Sequence, residues 1–373
     1  MVFVNDIAGV KGLPWWTHHM PDGVNGMTYV DMVFPAFLFI VGISMPLAIN
    51  RRLSLGESRR DVLIHVAVRS LGLVAMGYVL ANLHGVDAQL TGIGRRTWDR
   101  LAFAGILLAW SVYPKSGARR TLYTIMKASG FLLLAVLLSI FRRKAAGGAA
   151  GLDLSYPEIL GLIGFAYFSA GLIYVMIPKR LWWFAGAFVA LNAMNVAAKT
   201  GHLHALGDAP LYFWPLGDGA LPSIIMGGVV CSFILFDTSV AASARSKVYW
   251  SAGVAAILFA GGLALMPLGI SKNQGTPTWC LFSEAACVII LMALYYVVDI
   301  KRFSAWAAFV KPAGSNTLLT YLLPWICSAI PPLAAISAGG LHGAYGIFRG
   351  CVFTAFILAL SGVLTKMRLR MQL

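Results

Sequence analysis

Two adjacent histidines, His18 and His19, stand in a polar stretch, with Asp31 a short way downstream. A neutral imidazole near pH 7 can take a proton from a hydroxyl or an amine, because its unperturbed pKa lies near ~6.5. A carboxylate behind it can orient and polarise the ring. The plain alternatives are two solvated loop histidines and an acid that only caps a helix. The setting favours chemistry: Trp15, Trp16, Met20 and Pro21 surround the pair, and Asn25, Thr28 and Tyr29 precede the acid. The same aromatics also suit a membrane-interface belt.

Four further polar residues could face a substrate. Glu284 lies inside an apolar segment, where an ionised acid costs up to ~3 kcal/mol on insertion scales and is usually partnered or functional. Lys272 is the cation nearest to it in sequence, so the plain reading pairs the two. Asn25 and Asn316 are the other candidates. Arg69 and Lys127 suit lipid phosphates through snorkelling, and Arg69 also suits the phosphates of a nucleotide-like cofactor. His202 and His204 are a weak metal pair, and no metal site is expected. There is no Walker motif, no HExxH and no convincing GxSxG.

The elements that must position these groups are membrane helices. Of the 373 residues, 59% are hydrophobic and 12% charged, about half the charged share of a soluble domain. The mean hydropathy is +0.78. Residues 30–49 are long enough to cross a bilayer, which takes ~20 apolar residues, and they end on Arg51 and Arg52, a cytoplasmic signal. The histidines then fall at the outer mouth. Further spans begin near residues 62, 100, 122, 157, 181, 221, 249, 279, 316 and 345. That gives an all-α, polytopic bundle of about 11 spans. A partial first helix over residues 1–10 reads as truncated, its first half upstream. With this layout 17 Lys/Arg fall in inner loops and nine in outer ones.

Gly147, Gly148 and Gly151 predict a flexible loop. The five cysteines read as small core residues. No polar stretch is long enough to bury its own core, so 1–373 is expected to be one integral membrane domain. The net charge of +15 sits mainly in short loops, where it sets topology and meets anionic lipid, so nucleic acid is excluded as a partner.

Several runs resemble a known family. They are MVFVN at the start, Trp15 four residues before His19, Asn25-Gly26-x-Thr28-x-x-Asp31-x-Val33-Phe34-Pro35, and the FLFIVGIS run. Asp218-Gly219, Ile270-Ser271-Lys272-Asn273, Trp279, the LYYVVDIK run ending at Lys301, and Gly314-Ser315-Asn316 with Tyr321 support it. Together they are similar to the heparan-alpha-glucosaminide N-acetyltransferase family, in the form of a bacterial relative. The resemblance implies a transmembrane acyltransferase that takes acetyl from cytosolic acetyl-CoA and gives it to a sugar amine across the membrane. It implies that the histidine of the first outer loop is essential. By the tryptophan spacing that is His19, with His18 beside it. Against the animal enzyme the gap from His19 to Asn25 is slightly longer, and with the start read as truncated a large lumenal extension is not expected in these residues.

The expected partners are acetyl-CoA as donor, a sugar or glycan amine or hydroxyl as acceptor, and membrane lipid, with a homodimer allowed for. The expected location is the bacterial inner membrane. The alternatives are a non-enzymatic transporter or flippase for a sugar or lipid-linked substrate, and a structural partner in the cell envelope.

Overall fold

The computed structural model describes residues 1–114, 119–145, 147–203, 217–337 and 339–372. Lys115, His204 and Asp208 lie outside the described residues. The long helices are α1 (Val33–Ser54), α2 (Arg59–Asn82), α3 (Arg95–Trp110), α4 (Arg120–Ile140), α5 (Glu158–Met176), α6 (Leu181–Lys199), α7 (Ala220–Phe236), α8 (Ala244–Ala264), α9 (Pro277–Tyr295), α10 (Thr317–Ser328) and α11 (Gly343–Lys366). Each overlaps one expected span in sequence, though not all are long enough to cross a membrane. Among the described residues, eight segments, built on α1, α2, α4, α5, α6, α8, α9 and α11, are long and apolar enough to cross a membrane; α7 and α10 are shorter apolar helices. The molecule is an all-α polytopic bundle.

Boundaries shift for local reasons. α3 starts five residues earlier than the hydropathy suggested, since Arg95 and Asp99 pair one turn apart at 3.8 Å. α10 stops at Ser328, and Pro331 opens a separate short helix, Pro331–Ala334, because proline lacks the donor that would continue the ladder. Pro35 sits in the first turn of α1, where proline is tolerated. The stretch expected to be a loop carries short strands. Arg143–Ala145 and Gly148–Ala150 form an antiparallel two-stranded hairpin, and Gly148 takes a φ of 114° that only glycine adopts readily.

The chain forms two compact units. The first comprises Met1–Pro14, Met76–Glu158 and Ser304–Leu373; the second comprises Trp15–Ala75 and Ile159–Phe303. In the first unit, the short helix Val2–Ile7 lies on α11. Ile7 and Val10 are buried there against Gly350 and Gly346, whose missing side chains make the room. α3 and α4 meet at Gly105 and Gly130 in the same way.

The second unit carries His18 and His19. Its centre is the crossing of α1 and α7. A Cβ on Gly42 would fall 2.9 Å from Gly228 Cα and closer still to the Ile225 carbonyl. A Cβ on Gly228 would in turn strike the Phe39 carbonyl oxygen. Lipid tails give apolar helices little hydrophobic reason to associate, so close backbone approach at small residues supplies the packing. α2 and α5 repeat the device at Gly164, against the Ser70 carbonyl. Of the five cysteines, four are buried as expected, while Cys351 is exposed on α11; all are free thiols.

This packing yields a test. Gly228→Leu should abolish recovery of folded protein on size-exclusion chromatography. Gly253→Ala, where nothing lies within 4 Å of the added Cβ, should match or slightly exceed wild type, by up to ~1 kcal/mol, since alanine favours helix.

Candidate active site

The site begins with a capping motif. Thr28 is extended and caps the short 3-10 turn Tyr29–Met32 that leads into α1. The Val30 N–H donates to Thr28 Oγ1 at 3.2 Å, and the Thr28 N–H donates to Asp31 Oδ2 at 3.0 Å. That is a capping box, with two orphan donors satisfied reciprocally. The Thr28 hydroxyl donates to the His18 carbonyl at 2.8 Å, folding the histidine loop back over the helix start. The Met20 N–H adds a second backbone donor to Asp31 Oδ2, at 3.2 Å.

The other carboxylate oxygen serves the histidine. His19 Nδ1 lies 2.7 Å from Asp31 Oδ1. Asp31 is 1% exposed, whereas the His19 side chain is 44% exposed, so the ring is anchored on one side and reachable on the other. With Nδ1–H donating to the carboxylate, Nε2 carries the lone pair, the form a general base needs. The cap and the orienting acid, alternatives in the sequence, are one residue doing both. Among the described residues the His18 ring has no hydrogen-bond partner; His18 contributes its carbonyl.

The loop 269–276 closes the other side. Asn25 Oδ1 accepts the Ile270 N–H at 2.7 Å, and the Gly26 N–H donates to the Ile270 carbonyl at 2.9 Å. Asn273 and Asp22 are hydrogen-bonded across the same gap. These contacts bring Lys272 Nζ to 3.3 Å from His19 Nδ1 and 3.5 Å from Nε2. The Trp279 indole N–H, in the first turn of α9, donates to the Asp31 carbonyl at 3.2 Å and fixes the start of α1.

The expected Lys272–Glu284 pair is not formed. Lys272 faces His19, while Glu284 is fully buried deeper in α9, its Oε2 2.5 Å from where a Gly227 Cβ would be. Neither carboxylate oxygen of Glu284 has a hydrogen-bond partner among the described residues. Sequence neighbours on a helix and its preceding loop point different ways, which spacing alone does not reveal.

Arg69 is the eleventh of the 24 residues of α2. That is deeper than the inner end expected for it. Its guanidinium lies over the Tyr167 ring, 5.0 Å from the centroid. Asn316 belongs to the first unit, where its amide holds the C-terminal tail: Nδ2 donates to Thr365 Oγ1 at 3.1 Å and to the Leu369 carbonyl at 2.9 Å, and Oδ1 accepts the Met371 N–H at 3.1 Å. His202 Nδ1 lies 2.8 Å from Thr200 Oγ1.

Sequence reasoning missed two supports. Asn195 Nδ2 donates to the Gly275 carbonyl at 3.1 Å, bracing the lysine loop from below. Asp218, met only as a motif landmark, pairs with Lys199 at 2.8 Å. The signal for Asn195 was there, since an amide inside an apolar helix must find a partner.

Residues 9–215 match a family model described as a domain of unknown function, DUF5009. The chain belongs to that family. Two curated proteins are also similar, both named heparan-alpha-glucosaminide N-acetyltransferase. The Mus musculus protein is 23% identical over 352 residues and the Homo sapiens protein 34% identical over 364. Each match covers 86% of this chain and 50% of the relative, so the chain spans about half the length of the curated relatives it matches. These matches bear out the resemblance read from the motifs. The DUF5009 match includes His18, His19, Asn25, Asp31 and Arg69, while Lys272, Glu284 and Asn316 lie beyond it.

The capping motif makes a stability prediction. Thr28→Ala should lower the melting temperature of the purified protein, by a loss of ~1 kcal/mol. Thr28→Ser, which keeps the hydroxyl, should restore most of it.

Proposed function

We propose that the protein is a membrane acyltransferase that moves an acetyl group from cytosolic acetyl-CoA to an amino or hydroxyl group of a sugar on the outer face. The observation that carries the reading is the His19–Asp31 dyad: a buried acid behind an accessible ring, in a chain similar to two proteins named as N-acetyltransferases. A thioester donor is made inside the cell and a glycan acceptor stands outside, so a helix bundle between them is the apparatus the chemistry needs.

In this reading His19 takes the acceptor's proton as general base, an effect typically worth ~10²–10⁴-fold, or carries the acetyl group transiently. Asp31 holds the ring, and His18 lends its carbonyl to the loop. Asn25, Lys272 and Glu284 are assigned to the substrate side and Arg69 to the CoA phosphates. The protein would sit as a multi-pass chain in the bacterial inner membrane, in contact with lipid, alone or as a homodimer.

A second reading is a transporter or flippase for a sugar or lipid-linked substrate. Its support is Glu284, a buried acid without a hydrogen-bond partner among the described residues, which is how intramembrane substrate paths often look.

One experiment separates the two. Purified protein in sealed vesicles, loaded inside with labelled acetyl-CoA, is given a panel of envelope sugars outside. Label should appear on an external sugar with wild type, and His19→Ala should abolish it while eluting as folded protein. Normal transfer by His19→Ala would refute the assignment, and sugar movement without use of acetyl-CoA would favour the transporter.

A further inference from the structure

Lys272 is held where a reaction would need a positive charge. Its Nζ is nearly equidistant from the two ring nitrogens of His19, at 3.3 and 3.5 Å. A hydrogen bond along the Nε2 lone pair would instead bring it close to Nε2 and far from Nδ1. The ammonium therefore flanks the ring and leaves the Nε2 lone pair pointing elsewhere.

The loop that presents it is braced throughout. The Ser271 N–H donates to Thr276 Oγ1 at 3.0 Å and the Gly275 N–H to the Lys272 carbonyl at 3.1 Å. Asn195 holds the Gly275 carbonyl from α6, and Asn25 holds Ile270 from the histidine loop. Gly269 and Gly275 take φ of 77° and 59°, so the turn is one that glycine permits. A cation fixed in advance beside a base is the arrangement that stabilises developing negative charge without reorganisation during the reaction.

We propose that Lys272 is a catalytic residue that stabilises the oxyanion formed on the acetyl carbonyl. This assignment rests on the acyl-transfer reading above and deepens it. The acceptor's lone pair forms a bond to the carbonyl carbon, and the C=O π pair moves onto oxygen, beside the Lys272 ammonium. His19 Nε2 takes the proton from the acceptor. When the pair on oxygen re-forms the C=O bond, the carbon–sulfur bond breaks and sulfur leaves with its electrons. The proton passes from His19 to that thiolate, giving a thiol and an acetylated acceptor, with Lys272 unchanged in charge.

The probe is p-nitrophenyl acetate, an acetyl donor that needs neither CoA nor the glycan, with the full chain in nanodiscs and His19→Ala as the background. The His19-dependent release of nitrophenolate should lose about 10²–10³-fold in kcat in Lys272→Met. KM should change little, because the interaction is made mainly in the transition state. Lys272→Arg should keep a substantial part of the rate. All three variants are first confirmed as folded by size exclusion. An unchanged kcat with a raised KM in Lys272→Met would overturn the assignment, as would equal losses in the Met and Arg variants. Ester cleavage that does not depend on His19 in wild type would overturn it too. Lys272-dependent ester cleavage without transfer from acetyl-CoA to any sugar would sink the proposed donor and acceptor and leave the lysine's role standing.

Discussion

One buried carboxylate holds the candidate site together. Burying an acid is costly unless it is hydrogen-bonded, and Asp31 meets that demand with both of its oxygens. One takes the His19 ring; the other takes the N–H groups of Met20 and Thr28. Each bond does structural work beyond satisfying the charge. The Thr28 bond starts the helix turn, the Met20 bond folds the loop, and the ring bond selects the tautomer. Charge-assisted hydrogen bonds of this kind are roughly twice as strong as neutral ones, so the loop and the base are ordered by the same group.

That arrangement needs a rigid floor. The crossing of α1 and α7 at Gly42 and Gly228 brings backbone onto backbone, and Trp279 on α9 reaches the Asp31 carbonyl. The loop bearing Lys272 is then gripped by Asn25 on one side and Asn195 on the other. Glu284 is the contrast: an acid of similar chemistry, fully buried, whose oxygens meet no donor among the described residues. One acid is built into the fold by its hydrogen bonds, while the other is held by burial alone among the described residues.

Hydropathy made the helices legible, because a bilayer demands long apolar segments and leaves no other way to satisfy the backbone. Their ends were less so, as at α3, where an Arg95–Asp99 pair lets a polar turn join the helix. The His19–Asp31 partnership was readable, since a histidine loop leading into a helix that starts with an acid allows few other meetings. The Lys272–His19 contact was not readable. The two residues lie 253 positions apart, and the nearest acid in sequence, Glu284, offered a simpler partner. Arg69 on Tyr167 and Asn195 on Gly275 were hidden for the same reason. Their partners are set by which helices pack together, and helix packing leaves little trace in local spacing.

In the proposed reaction the Asp31 carboxylate is what makes His19 reactive, and Asp31→Asn addresses that directly. The amide keeps the side chain's shape and can still accept the backbone donors, yet it carries no charge to hold Nδ1–H. Acetyl transfer measured per folded molecule should fall by at least ~10²-fold, the lower range of what a general base supplies. A variant that transfers acetyl at the wild-type rate would show that the dyad is only a helix cap with a histidine nearby.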